Sequence, residues 1–285
     1  MLAAVWGASF LFMRIAAPEF GPAPLMLMRC GIGALTLLPV IIWRGRLRGV
    51  LAMGHRALIV GLFNSAAPFV LFGVAVLFLP SGLMSVLNAT APFWTALIAY
   101  AWLREKLTGM QVAGLFIGFV GVSVLVAGGS RLPDVSTGDM VSGVAAALAA
   151  TLCYGISASY VRRHLGDVHP LANALGSQLG ATACLLVPGL WFWPAVMPGG
   201  SAWGATIVLG VLCTGLAYLL FFRLIQSLGA ARAMTVTFAI PAFGMLWGWL
   251  FLDEPVTWPM LAGAAIIVLG SAMTSGRLRR LRWPA

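Results

Sequence analysis

Ten long runs of predominantly apolar residues divide the sequence, and they restrict its possible folds more than any other feature. A transmembrane helix needs about 20 apolar residues to cross a hydrocarbon core about 30 Å thick. Only 8% of the residues are charged, against roughly 25% in a soluble domain, so most of the surface must face lipid. Lipid offers the backbone no hydrogen bonds, which leaves helices or a closed barrel, and continuous rather than alternating apolar residues favour helices. We therefore expect an all-α integral membrane protein with ten transmembrane helices, at residues 2–18, 23–43, 56–78, 82–103, 109–128, 139–163, 170–193, 203–227, 231–252 and 257–275.

The basic residues are distributed unequally between alternate loops. Basic loops stay in the cytoplasm, so both termini are predicted to be cytoplasmic, in a multi-pass protein of the bacterial inner (plasma) membrane. The same asymmetry explains the net charge of +10 without a nucleic-acid partner. The basic side carries Arg44, Arg46, Arg48, Arg56, Arg104, Lys106, Arg162, Arg163, Arg223, Arg232, Arg277, Arg279, Arg280 and Arg282, whereas the other side carries Arg131 with Glu19, Asp134, Asp139, Asp253 and Glu254.

An internal repeat relates the two halves of the chain. Each half, 1–132 and 133–285, holds five of the expected helices, and an odd number forces the second half to enter the membrane in the opposite orientation. Inverted repeats are typical of secondary transporters, in which the substrate binds between the repeats and alternating access follows from the symmetry. An offset of 149 residues pairs Gly61 with Gly210, Pro92 with Pro241, Glu105 with Glu254, Thr108 with Thr257 and Gly121 with Gly270, and an offset of 148 pairs Trp6 with Tyr154 and Arg14 with Arg162.

Three segments resemble a known family. They are VWGASFLFMRIA at 5–16, NATAPFWTALIAYAWLREKLTGMQVAGLFIGFVGV at 88–122 and FAIPAFGMLWGWLFLDEPVTWPMLAGAAIIVLG at 238–270. In their order and duplication they are similar to the EamA domains of the drug/metabolite transporter superfamily, over nearly the whole chain. The resemblance implies ten helices with cytoplasmic termini and the export of amino acids, related metabolites or cationic drugs. Within the family, the chain is similar to bacterial aromatic amino-acid exporters.

Two prolines occupy equivalent points of the fourth and ninth expected helices. Proline lacks an N–H and displaces the carbonyl four residues earlier, so Pro92 and Pro241 would free the carbonyls of Asn88 and Thr237. We expect kinks that line a polar cavity, with Thr90 nearby, and that present acceptors to a substrate ammonium group. The alternative is a pair of simple packing kinks, which membrane helices tolerate.

One arginine lies well inside an expected helix. Arg29 is a candidate for binding a substrate carboxylate, and its repeat equivalent, Gln178, is also polar. A cation at that depth is costly unless it is paired or hydrated. Alternatively, Arg29 reaches the outer interface or pairs with Glu19. All seven carboxylates fall in loops or at helix ends, so no buried proton carrier is expected, which favours facilitated diffusion or exchange.

Aromatic and small polar residues complete the expected binding site. Aromatic walls suit flat or cationic substrates, although Trp and Tyr also collect at both membrane interfaces. The candidates for the cavity wall are Trp6, Ser9, Asn64, Tyr154, Ser157 and Tyr218.

A Glu-x-x-Thr motif occurs once in each half. We interpret Thr108 and Thr257 as helix N-caps, whose hydroxyls accept hydrogen bonds from free amides. The alternative is that each motif takes part in a gating ion pair through its glutamate, Glu105 in one half and Glu254 in the other.

The remaining residues argue against an enzyme. The four cysteines lie inside apolar runs and are interpreted as packing residues, and the three histidines lie in expected loops. We find no catalytic constellation, no metal site, no cofactor motif and no phosphate-binding glycine loop. The expected partners are the lipid bilayer and a small-molecule substrate, in a monomer. The predicted function is export of amino acids or related metabolites by alternating access. The alternatives are a cationic-drug exporter and a carrier of nucleotide sugars or sugar phosphates.

Overall fold

Long helices account for nearly all of the computed structural model, which describes residues 1–129 and 136–275. No strand occurs in these two ranges. The expected boundary at 132/133 lies outside them, as do Arg131, Asp134 and the four arginines of the tail. The helices begin and end within three residues of the expected positions. They are α1 (Leu2–Phe20), α2 (Pro22–Trp43), α3 (Arg56–Phe78), α4 (Ser81–Leu103), α5 (Gly109–Gly129), α6 (Thr137–His164), α7 (Pro170–Trp191), α8 (Gly200–Leu228), α9 (Met234–Leu252) and α10 (Trp258–Thr274).

Eight of these described helices, α2 to α9, are long and apolar enough to cross a membrane. α1 is not among these eight, and α10 is a shorter apolar helix. The outer faces of the helices carry large apolar side chains, such as Phe116 and Phe119 on α5 and Leu35 on α2, which are more than half exposed. Such a surface would aggregate in water. The protein is therefore a multi-pass membrane protein whose exposed apolar faces contact lipid.

Local chemistry sets the helix ends. Proline occupies the first position of α2 and of α7, where no intrahelical N–H is needed. The Thr257 hydroxyl accepts a hydrogen bond from Met260 N at the start of α10. Thr108 and Gln111 form a reciprocal capping box at the start of α5, with Thr108 N donating to Gln111 Oε1 at 2.9 Å. The N-cap prediction for both threonines is therefore confirmed.

Four helices are interrupted, at positions that follow the sequence repeat. A π-helical turn occupies Leu62–Ala66 in α3 and Val211–Leu216 in α8. α4 breaks after Asn88, and the 3-10 turn Met234–Ala239 of α9 separates the short helix Ala230–Ala233 from Ile240–Leu252. In both, proline is the second residue of the helix that follows. The repeat therefore extends from residue identities to backbone conformation.

Helices of one half pack mainly against helices of the other. α5 packs along α10, α2 along α7, α1 against the second part of α9, and α6 against the second part of α4. Glycines permit the closest crossings: a side chain at Gly61 on α3 would meet the backbone of Gly180 and Ala181 on α7. These cross-half contacts leave a cavity between the halves.

Candidate functional site

A cavity of about 580 Å³ lies among helices of both halves. Its mouth is formed by residues that end α4, α6 and α10 and begin α5 and α9. Those residues include Glu105, Lys106, Gln111, Arg162 and Ser275. The basic residues at this mouth belong to the side that the charge pattern predicts to be cytoplasmic.

The cavity brings together nine of the thirteen residues selected from the sequence. Eight of them were proposed as substrate contacts and the ninth as a kink. They are Trp6, Ser9, Arg29, Asn64, Asn88, Pro92, Tyr154, Tyr218 and Thr237.

The other four selected residues are absent from the cavity lining. The Thr90 hydroxyl lies 3.0 Å from that of Thr151, so it ties the break in α4 to α6. Ser157 is buried next to Ala158, which lines the cavity together with Tyr154 and Arg162 of the same helix. The Pro241 carbonyl accepts a hydrogen bond from Ser85 at 3.4 Å. Because the cavity extends toward one end only, Pro92 lines it while its repeat equivalent is packed.

Gln178, the fourth of these, belongs to a buried polar cluster behind the wall. Its Nε2 donates to Ser65 Oγ at 2.9 Å. Asn64 Nδ2 reaches Ser177 Oγ at 3.1 Å and Tyr218 Oη at 3.4 Å. The cluster thus holds Asn64 and Tyr218 in place at the cavity surface while Gln178 supports them from behind.

Arg29 is buried, with 6% of its surface exposed, and it lines the cavity. Its Nε donates to Thr214 Oγ1 at 3.1 Å, its Nη1 lies 3.6 Å from Met13 Sδ, and its guanidinium carbon lies 3.7 Å from the Phe69 ring centroid. These contacts fix the guanidinium without neutralising it. The suggested pairing with Glu19 does not occur, since no nitrogen of Arg29 lies within 4.0 Å of the Glu19 carboxylate, which accepts from Gly199 N at 2.6 Å.

Residues not selected from the sequence complete the wall. Trp6 lies 5.2 Å from Phe221, centroid to centroid, and Tyr154 lies 6.2 Å from Phe72. Thr214 could have been found from the repeat, because it pairs with Ser65 at the offset of 149. The hydrogen bonds Arg29–Thr214 and Gln178–Ser65 are therefore equivalent, which places a cation in one half and a neutral amide in the other.

An ion pair stands at the mouth of the cavity. Both terminal nitrogens of the Arg162 guanidinium, Nη1 and Nη2, donate to the Glu105 carboxylate. Both side chains are about half exposed, and such a pair contributes little to stability.

A second cluster closes the opposite end. The Glu254 carboxylate accepts from Ser81 N at 3.0 Å, from Ser81 Oγ at 2.7 Å and from Gly82 N at 3.4 Å. Arg14 Nε lies 3.9 Å from the same carboxylate, and the Arg14 guanidinium also donates to the Val76 carbonyl. None of these five residues lines the cavity. The carboxylate therefore joins the start of α4 to the end of α9 and separates the cavity from that face.

The model of the EamA-like transporter family matches residues 1–127 and 141–276. The chain belongs to the EamA-like transporter family.

Named relatives of this EamA-like transporter cover nearly its full length. The uncharacterized transporter YvbV of Bacillus subtilis (strain 168) is 27% identical over 270 residues, 94% of this chain and 87% of the relative. An uncharacterized transporter of Archaeoglobus fulgidus is 26% identical, over 93% of this chain and 92% of the relative. A probable terminal-alkyne amino-acid exporter of Streptantibioticus cattleyicolor is 24% identical, over 98% and 94%. A solved crystal structure superposes with a TM-score of 0.66 at 21% identity, covering 99% of both chains, which shows a shared fold.

Proposed function

We propose that this transporter exports amino acids or related small metabolites across the inner membrane by alternating access. In this proposal ten helices span the bilayer with both termini cytoplasmic. They form two oppositely oriented halves, 1–132 and 133–285. The substrate binds at Trp6, Ser9, Arg29, Asn64, Asn88, Tyr154, Tyr218 and Thr237, with Pro92 at the break in α4.

The main support for the proposal is that the closed end of the cavity and its open mouth are formed by residues that are equivalent in the sequence repeat. Glu254 at the closed end pairs by sequence with Glu105 at the mouth, and Arg14 pairs with Arg162. Two halves of opposite orientation place equivalent residues at opposite membrane faces. If the Glu105 end adopted the closed arrangement now seen around Glu254, and the Glu254 end adopted the open one, the mouth would close and the other end would open.

The amino-acid part of the proposal has separate support. The Streptantibioticus relative is named as a probable exporter of a terminal-alkyne amino acid. The cavity described above offers hydrogen-bonding side chains, an arginine and aromatic walls, which suit a small molecule that is polar at one end and apolar at the other.

Counterflow in proteoliposomes tests the proposal. Vesicles that contain the purified protein are loaded with unlabelled amino acids and diluted into labelled ones. We expect labelled substrate to accumulate transiently above the level in protein-free vesicles. No accumulation across a broad panel of amino acids and related metabolites would overturn the proposal.

A matched pair of variants tests the site. Asn64→Ala removes a cavity side chain together with its contacts to Ser177 and Tyr218. Ser123→Ala removes an exposed hydroxyl on α5 that bonds its own helix. We expect lower counterflow for the first variant only.

A further inference from the structure

The charge of the cavity narrows the substrate class, an inference that rests on the proposed function. Arg29 is nine-tenths buried. Among residues 1–129 and 136–275, no carboxylate lies within 4.0 Å of its nitrogens. A buried cation is costly when unpaired, and a bound carboxylate would supply the missing partner.

The positive charge of Arg29 has no counterpart at the equivalent position of the other half. The residue equivalent to Arg29 is Gln178, which is neutral, and the partners of the two side chains, Thr214 and Ser65, are both hydroxyls. The binding region therefore has one fixed positive charge and no symmetric counterpart.

The described part of the cavity has no unpaired carboxylate that could bind a substrate ammonium group in the way that Arg29 could bind a substrate carboxylate. Glu105 is the one carboxylate among the described residues that line the cavity, and it stands at the mouth, already paired with Arg162. The guanidinium carbon lies 3.7 Å from the Phe69 ring centroid, and the aromatic residues Phe72 and Tyr154 line the same cavity. A cation is disfavoured here because it would lose water and meet a like charge.

We propose that the transporter selects monoanionic carboxylates with an aromatic or similarly apolar body, and that an α-ammonium group is dispensable. The planar guanidinium offers a carboxylate two donors in a fixed geometry, and the aromatic walls take up the apolar body. A phosphate dianion fits less well, because one buried cation neutralises only half of its charge.

Transport of such a substrate moves net negative charge outward. An inside-negative potential of 100 mV then favours export by about fiftyfold at equilibrium, since one charge crossing that potential changes the free energy accordingly. A zwitterion gains nothing from the potential. Export of a monoanion therefore needs no proton carrier in the membrane.

Three probes that share one benzyl group test the proposal. They are phenylpyruvate, an anion without an ammonium group; L-phenylalanine, a zwitterion; and phenylethylamine, a cation. Each is measured in labelled form by counterflow in proteoliposomes. We expect phenylpyruvate to move at least as fast as phenylalanine and at least tenfold faster than phenylethylamine.

Two arginine variants accompany the probes. Arg29→Gln is expected to reduce phenylpyruvate counterflow at least tenfold, whereas Arg223→Gln, which removes an exposed charge away from the cavity, leaves it unchanged. Arg29→Lys retains the charge but not the two-donor geometry, and it should fall between them. The comparison of probes on the unchanged protein decides the question even where Arg29→Gln does not fold.

The outcomes separate this inference from the proposed function. Movement of phenylalanine without phenylpyruvate overturns the inference and leaves the proposed function standing. Equal or faster movement of phenylethylamine also overturns the inference. Movement of none of the three, nor of any compound in the broader panel, overturns the proposed function and the inference with it.

Discussion

Glu254→Gln is expected to open the closed end of the cavity. The Glu254 side chain is 13% exposed and accepts three hydrogen bonds from Ser81 and Gly82. Glutamine has nearly the same shape, but its amide oxygen can replace only one of the two carboxylate oxygens, of which Oε1 accepts from Ser81 N and Oε2 accepts from Ser81 Oγ and Gly82 N. At least one backbone N–H therefore loses its acceptor. The substitution therefore removes the negative charge while keeping the packing.

The expected shift is about thirtyfold in the conformational equilibrium. A hydrogen bond to a charged group contributes about 1.5–3 kcal/mol and is roughly twice as strong as its neutral equivalent. With three donors of unequal length, loss of the charge and of one acceptor oxygen should cost about 2 kcal/mol, which is about thirtyfold. This cost destabilises only the arrangement in which Glu254 joins the start of α4 to the end of α9, so the equilibrium shifts toward arrangements in which that end is open.

Accessibility of a cavity cysteine measures the shift. Ala91 lines the cavity and is partly exposed to it. We propose Ala91→Cys in a chain whose four native cysteines are replaced by alanine, labelled with an impermeant thiol reagent in vesicles of either orientation. The Ala91→Cys protein should label from the Glu105 side, and adding Glu254→Gln should raise labelling from the Glu254 side at least tenfold.

Glu19→Gln is the matched control. Glu19 also accepts a hydrogen bond from a backbone amide, that of Gly199, but it has no contact with the Glu254 cluster that closes the cavity. Its substitution should leave labelling from both sides unchanged. If Glu254→Gln behaves like this control while thermal stability and counterflow are intact, the Glu254 cluster does not hold that end closed.

Three further predictions follow from separate parts of the molecule. A potential imposed with potassium and valinomycin should change phenylpyruvate efflux but not phenylalanine efflux; equal responses would contradict net charge movement. Gly61→Ala should lower the stability by about 1–3 kcal/mol, because its side chain would meet the α7 backbone, whereas Gly204→Ala, with open space around it, should not; thermal unfolding in detergent compares them. Partial burial and the arginines Arg46 and Arg44 lower the pKa of His169 below its usual 6.5. The unfolded chain therefore binds a proton first, and stability should fall as the pH drops through about 6.5. His169→Asn should weaken that pH dependence, and an unchanged pH profile would refute the assignment.

Apolar runs and prolines predict most of the fold. A run of about 20 apolar residues has few alternatives to a membrane helix, so the helix bounds followed from the sequence. Pro92 and Pro241 likewise marked the interruptions of α4 and α9. The π-helical turns carry no such mark, because no residue type in Leu62–Ala66 or Val211–Leu216 requires one.

The site was harder to predict, because a membrane helix is apolar on every side. Hydrophobic periodicity cannot tell which polar residue faces a cavity, so Thr90 and Gln178 were chosen although they bond to neighbouring helices. The closed end rests partly on the backbone amides of Ser81 and Gly82. Such donors are present at every helix start, so the sequence pattern does not distinguish them.

The paired π-helical turns also bear on the ancestry of the chain. A π-helical turn holds one residue more than an α-helical turn, and one extra residue turns the helix on one side by about 100° relative to the other. Insertion of a single residue into an α-helix would produce such a turn. The insertion lies at one offset in both halves, and we infer that it entered the ancestral half before that half was duplicated. A five-helix relative whose third helix lacks the extra residue would contradict this history.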